Sequence, residues 1–392
     1  MAKKKILFIT GQIMEPHGSA LSAIDVLRSI PQAYQKYILT EYPIAKGNHL
    51  HGSVPLSFYP PALIFWPHPV AKRISGAFAR LYSSIFFFWL RNFKFDLVIV
   101  NGYGTSSLWL KASKSIPAST ASAVISRESP RHFDSGDCNH SLADQIQFLR
   151  SFDAHIFVSR ILRDEWIALA ALDVRRTHYL PNCCDEDKLL FIDRNCNSDS
   201  LIRSNYGIHA DIPLILNVGT IELRKGQQDL ECLAHHLRKR DLDFRIACVG
   251  YEATEQGSLF RQRIQSSLLY DFFIFPGATD QIYFWYQAST MLAFTSRAEA
   301  MPRTILEAMA SDLPIVSTNV DGIPELIDHL KDGYLYCPGD TDELILGVEW
   351  IIDNPGKARN LGANARRKYL ELFSQRLHAL RMRKILNDVI IE

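Results

Sequence analysis

SRAEAMPRTILEAMA, residues 296–310, is the stretch on which the reading turns, because carboxylates, a helix start and the end of a buried strand meet in it. It follows TMLAF (290–294), a short apolar run of the kind that forms a strand buried on both faces of a parallel sheet. The loop therefore opens at a strand's carboxyl end. Pro302 suits the first helical position, where a missing N–H costs nothing, and ILEAMA continues in strong helix formers. Met301 then stands at the cap position with no side-chain acceptor. The N–H groups of Arg303 and Thr304 need a partner, and such a helix start suits an anionic or hydroxyl-rich ligand. Glu299 lies in the loop and Glu307 on the helix, roughly 7–8 Å deeper than Pro302 at about 1.5 Å per residue. Two acceptors at two depths suit a polyol.

Working outward, 392 residues with 47% apolar content suit two domains rather than one core. The 43 basic and 42 acidic residues nearly cancel, so no global field points to nucleic acid and any basic partner surface is local. The seven cysteines are scattered; only Cys183 and Cys184 are adjacent, and no C-x-x-C pair has zinc spacing, which fits reduced thiols in a cytoplasm. MAKKKILFIT carries an apolar run of only about five residues before Gly11 and no small-residue cleavage site, so it reads as a first strand.

Apolar runs alternate with helical patterns along the chain, the signature of doubly wound parallel sheets in an α/β fold. After the first strand, Gly18 and Ser19 start a helix where small residues let a phosphate or acceptor approach the backbone; G-x-G-x-x-G, the dinucleotide fingerprint, is absent. TASAVISRESPRHF presents Arg127, Glu128 and His132 at another strand's end, and ligands of open parallel sheets bind outside those ends. An arginine–glutamate pair on a loop accounts for the same residues equally well. Asp241 and Asp243 spell D-x-D in a helix-to-strand turn before the sheet, which reads as a solvated turn, and no His or Cys cluster offers another metal site. In residues 62–96, Lys72, Arg73, Arg80 and Arg91 surround IFFFWL (85–90), far shorter than the ~20 residues needed to cross a bilayer. A basic, aromatic amphipathic helix there suits an anionic membrane surface, and a buried helix before a strand has the same pattern.

Glu299 and Glu307 form an E-x7-E pattern, and with PIVSTNVDGIPELI (314–327) and the later DGYLYCPGD they resemble the nucleotide-sugar half of retaining GT-B glycosyltransferases of family four, the E-x7-E glycosyl transferases group 1. The resemblance covers residues 175–375 well and residues 1–160 in pattern only. It implies two Rossmann-like, doubly wound parallel-sheet domains facing a cleft. Residues 1–180 would bind the acceptor, with a last helix at about 375–392 packing back, and residues 181–374 would bind the donor. YLPNCCDEDKLLF resembles the family's domain crossover, with Cys183 in place of its usual glycine; a cysteine at positive φ there would be strained.

The donor-site residues implied are Gly18, Ser19, Gly219, Thr220, Lys225, Gly250, Glu299, Ala300, Met301, Pro302, Arg303, Thr304 and Glu307, with the backbone of residues 276–278 near the base. Lys225, at the start of a helix after Gly226, would meet a diphosphate, and Arg224 would supply the second cation, since Thr220 stands where the family has an arginine. Glu299 would hold the sugar and Glu307 the ribose. Arg127 or His132 would take the place of the family's histidine near the sugar. Ala300-Met301-Pro302 replaces the usual Gly-Phe-Gly, so sugar contacts must come from Ala300, Met301 and Arg303.

The implied activity is metal-independent, retaining transfer of a hexose from a nucleotide-diphosphate sugar, needing no cofactor, to a glycan or lipid-linked acceptor in surface polysaccharide or glycoconjugate synthesis. The implied location is cytoplasmic, peripheral at the inner membrane face through residues 72–91. A GT-B epimerase or phosphorylase, distinguished by donor epimerisation or phosphate-dependent release without acceptor, stays open. So does a non-catalytic subunit that binds sugar nucleotides without turnover.

Overall fold

The structure is a computed structural model in which residues 3–11, 18–40, 54–57, 87–130, 141–186 and 198–391 are described. The chain divides into two compact units, Met1–Pro181 with Arg376–Glu392, and Asn182–Gln375.

The first unit runs β1 (Lys5–Ile9), α1 (Gly18–Ser29), β2 (Gln35–Thr40), β3 (Val54–Ser57), β4 (Leu97–Asn101), α2 (Ser106–Ala112), β5 (Ala121–Ser126), α3 (Leu142–Leu149), β6 (Ala154–Phe157), α4 (Arg160–Ala170) and β7 (Thr177–Tyr179). These strands form one parallel seven-stranded sheet in the order β3-β2-β1-β4-β5-β6-β7. Ile6–Ile9 and Val98–Val100 are fully buried, as strands covered by helices on both faces must be.

The second unit runs α5 (Ser198–Asn205), β8 (Leu214–Val218), α6 (Asp229–Lys239), β9 (Arg245–Val249), α7 (Glu255–Gln265), β10 (Phe273–Gly277), α8 (Ile282–Ala288), β11 (Met291–Phe294), α9 (Arg303–Ala310), β12 (Ile315–Thr318), α10 (Ile323–Leu326), β13 (Tyr334–Tyr336), α11 (Thr341–Asp353) and α12 (Pro355–Leu372). Its six parallel strands lie in the order β10-β9-β8-β11-β12-β13. The last helix, α13 (Gln375–Ile391), belongs almost wholly to the first unit, where buried His378 bonds Ser29 of α1 at 2.6 Å.

In both sheets the chain winds outward to one edge and then restarts at the centre. The winding reverses between β1 and β4 in the first unit and between β8 and β11 in the second. Loops that leave these neighbouring strands in opposite directions open a crevice at their carboxyl ends, the usual ligand position in such sheets.

The apolar run 85–90 is only partly within the described residues. Phe87–Leu90 forms a helical turn that buries Phe87 and Leu90 but leaves Phe88 69% and Trp89 43% exposed, with the Arg91 guanidinium 6.0 Å from the Phe88 ring. Lys72, Arg73 and Arg80 lie outside the described residues. Among the described residues no helix is long and apolar enough to cross a membrane.

Candidate functional site

The switch point of the second unit carries two laced loops. After β8, Gly219 adopts φ 148° and Gly250, after β9, adopts φ 156°. A Cβ on Gly250 would stand 1.9 Å from the Gly219 carbonyl oxygen, so the ends of β8 and β9 touch only because residue 250 has no side chain. The chain then makes a 3₁₀ turn, Leu223–Lys225, closed by Gly226 in the left-handed region at φ 66°. This corrects the expected placement of Lys225 at a helix start: α6 begins only at Asp229. The turn is tied instead to the loop after β11. Thr295 Oγ1 donates to the Lys225 carbonyl at 2.7 Å and the Arg297 N–H to the Arg224 carbonyl at 2.7 Å.

This lacing fixes an ion cluster. The Lys225 ammonium pairs with the Glu299 carboxylate, which also accepts from Ser296 Oγ at 2.9 Å and lies 3.4 Å from Arg224 Nη1. Arg224 Nη2 pairs with Glu222 at 2.6 Å, and Nη1 donates to the Ala298 carbonyl at 3.1 Å. Burial raises the Glu299 pKa, but the charges of Lys225 and Arg224 and the hydrogen bonds from Lys225 and Ser296 outweigh it and hold the carboxyl below its ordinary value. Glu299 is therefore an acceptor at neutral pH. Lys225 has three N–H donors and Glu299 engages one, so the ammonium retains capacity for a further oxyanion.

The helix that follows starts one residue later than the sequence predicts. Pro302, at φ −71° and ψ 124°, is the cap residue and Arg303 the first helical one. Met301 sits before the cap, 4% exposed, its carbonyl accepting from Asn182 Nδ2 at 2.8 Å. Ala300 and Thr304 are half-buried. Arg303 is buried and donates through Nη1 to the Cys183 carbonyl at 2.8 Å, so its side chain serves the crossover segment. Cys183 is not among the residues with positive φ, and the cysteine is accommodated without backbone strain. Glu307 is 6% exposed, accepts from Tyr286 Oη at 2.9 Å and lies 3.7 Å from Arg303 Nη2. It is thus engaged by protein donors at its own depth.

Sequence reasoning missed several supports. Asp321, in the left-handed region at φ 43°, accepts the Glu299 N–H at 2.8 Å. Its place before Gly322 was the available signal, because aspartate is among the residues that tolerate that region. Ser296, three residues before Glu299, and the pair of buried Asp229 with half-buried Arg297 (2.7 Å) were equally unread. Thr220 contributes its carbonyl, which accepts from Gln227 Nε2 at 2.8 Å. Asp243 pairs with Arg245 at the amino end of β9, and Asp241 closes α6 at φ 56°, both at the strand edge opposite the loops above.

In the first unit, the β1–β4–β5 edge carries Thr10, Asn101, Arg127 and Glu128. Asn101 Nδ2 donates to Thr10 Oγ1 at 3.2 Å, and Arg127 Nε donates to Asn101 Oδ1 at 3.2 Å. Gly18 opens α1 with Ser19 after it. His132 lies outside the described residues.

Two doubly wound parallel sheets of this kind are the GT-B fold. The crystal structure of Anabaena HepE in complex with UDP and glucose is similar over 98% of this chain and 99% of that chain, with TM-score 0.76 and 22% identity. Residues 199–368 match the family described as Glycosyl transferases group 1. An uncharacterized glycosyltransferase of Haemophilus influenzae is 28% identical over 160 residues, 41% of this chain and 45% of the relative. Alpha-maltose-1-phosphate synthase of Mycolicibacterium smegmatis is 28% identical over 234 residues, 57% of this chain and 59% of the relative. The chain spans about half the length of the curated relatives it matches.

Proposed function

We propose that the chain is a retaining glycosyltransferase that moves a hexose from a nucleotide-diphosphate sugar to a hydroxyl of a glycan or lipid-linked acceptor. The observation that carries this reading is the Glu299–Lys225–Arg224 cluster, two cations and a fixed carboxylate at the switch point of a glycosyl transferases group 1 segment. Lys225 and Arg224 neutralise the leaving diphosphate as the glycosidic bond to phosphate breaks. Glu299 positions the ammonium, and with the backbone at Ala300 and Met301 it orients the sugar. The acceptor hydroxyl attacks from the leaving-group face and its proton passes to the departing phosphate oxygen, so retention requires no second carboxylate. The first unit receives the acceptor, with Arg127 just past the end of β5.

Lys225→Ala should weaken nucleoside-diphosphate binding by about 1.5–3 kcal/mol, the range for a hydrogen bond to a charged group. Calorimetry giving the wild-type affinity would remove Lys225 from the donor site. Because Asp243 is paired at the opposite strand edge, transfer should persist in excess chelator; activity lost to chelation and restored by manganese would overturn the metal-independent mechanism.

The enzyme meets lipid-linked acceptors at the inner membrane face through residues 72–91. Exposed Phe88 and Trp89 beside Arg91 support that contact. Each basic residue near an anionic surface contributes about 1 kcal/mol, screened by salt. Binding to anionic vesicles should therefore fall with salt and with charge reversal at Lys72, Arg73 and Arg80; equal binding to neutral vesicles would contradict it.

A further inference from the structure

At the amino-terminal edge of the first unit's sheet lies a cavity of about 1050 Å³, walled by the start of β1, the turn from α1 into β2, and α13. Its lining includes Lys3, Arg28, Lys36, Arg376 and Arg383, and no carboxylate among the described lining residues. The walls are tied together. Buried Ser29 bonds His378 of α13 at 2.6 Å, Gln35 N–H donates to the Lys4 carbonyl at 2.8 Å, and Lys3 Nζ donates to the Gln32 carbonyl at 3.0 Å.

The five cations divide into two sets. Lys36 is buried and donates to the Leu27 and Ile30 carbonyls at 3.0 and 3.4 Å, which offsets the negative end of α1. Arg28 lies 3.8 Å from Asp25 within its own helix. Lys3 and the exposed Arg376 and Arg383 stand at the rim. Arg376 and Arg383 are seven residues apart on one face of α13, about 10 Å along its axis, and Leu380 between them is 53% exposed. Like charges converging on one concave surface repel, and a bound anion turns that repulsion into attraction.

We propose that this cavity binds a phosphate-bearing ligand, its phosphate held by Arg376, Arg383 and Lys3, at the amino-terminal edge of the first unit's own sheet. Guanidinium groups suit phosphate oxygens because each offers two parallel donors. The ligand is either a free phosphate ester or the headgroup of an anionic lipid.

The test uses the full chain and the Arg376→Glu/Arg383→Glu variant. An Arg376→Gln/Arg383→Gln pair serves as the milder form, and a wild-type circular dichroism spectrum and melting curve show that each variant is folded. Inorganic tripolyphosphate is titrated by calorimetry, and phosphatidylglycerol vesicles are compared with phosphatidylcholine vesicles by co-sedimentation. At least a tenfold loss of tripolyphosphate affinity in the reversed variant is expected. Parallel loss of phosphatidylglycerol binding identifies a lipid headgroup, whereas vesicle binding that stays at the wild-type level identifies a free phosphate ester. If both variants bind both probes as the wild type does, the cavity is not an anion site.

Discussion

Glu307→Ala should unfold well before the wild type, with a loss of roughly 2–4 kcal/mol. The carboxylate is 6% exposed and accepts the hydroxyl of Tyr286, itself 1% exposed, while the Arg303 guanidinium lies 3.7 Å away. Alanine leaves a buried hydroxyl without that acceptor, at a cost of about 1–3 kcal/mol, and removes a carboxylate that lies 3.7 Å from a buried cation. Arg303 keeps its bond to the Cys183 carbonyl, which places the expected loss below the full cost of breaking a buried pair. For a unit of this size the melting temperature should drop by about 5–15 °C. Glu307→Gln, which preserves volume and an acceptor for Tyr286, should recover most of it. A Glu307→Ala protein that melts with the wild type would show that the carboxylate is not part of the core. A ribose contact alone predicts that result, so the measurement separates structural from ligand-binding use of this side chain.

The same residue shows where sequence reading stops. E-x7-E fixed the spacing of two acceptors, but which way Glu307 faces depends on Tyr286, which reaches it from α8. Strands β1, β4, β8 and β11 were legible because central parallel strands are apolar throughout. Thr177–Tyr179 and Tyr334–Tyr336 were not read as strands, being three residues long, mostly half-buried and at sheet edges. Pro302 was assigned to the first helical turn from its ring alone. In the structure it precedes that turn as the cap residue, and Asn182, 119 residues away, holds the Met301 carbonyl beside it. The sequence suggests Lys225 as a phosphate-site cation, yet its position rests on contacts to Thr295 and Glu299 at separations of 70 and 74 residues, which no local pattern encodes.

Glu299→Gln should retain nucleoside-diphosphate binding within about threefold and lose transfer by about 10²–10³, the scale for removing one group that organises charge stabilisation in a transition state. Glutamine keeps the side chain's size and leaves the Asp321 bond to the residue 299 backbone N–H intact. It loses the charge that holds the Lys225 ammonium, and its NH₂ group cannot accept from the Lys225 ammonium or the Ser296 hydroxyl. Binding survives because Lys225 remains available to the diphosphate, whereas the rate falls because its position is no longer fixed. The pH dependence supplies an independent readout. The folded-state pKa of Glu299 is depressed by Lys225 and Arg224 against the opposing effect of burial. The ion pair's stabilisation is therefore fully present above the ordinary glutamate value of about 4.3 and is lost as pH falls through the lower folded value. Denaturation curves should show a constant wild-type advantage over Glu299→Gln from about pH 5 to 8, narrowing only below about pH 4. An advantage that disappears between pH 5 and 7 would mean that the carboxyl is held high instead of low. Wild-type transfer by Glu299→Gln would remove the carboxylate from the reaction altogether.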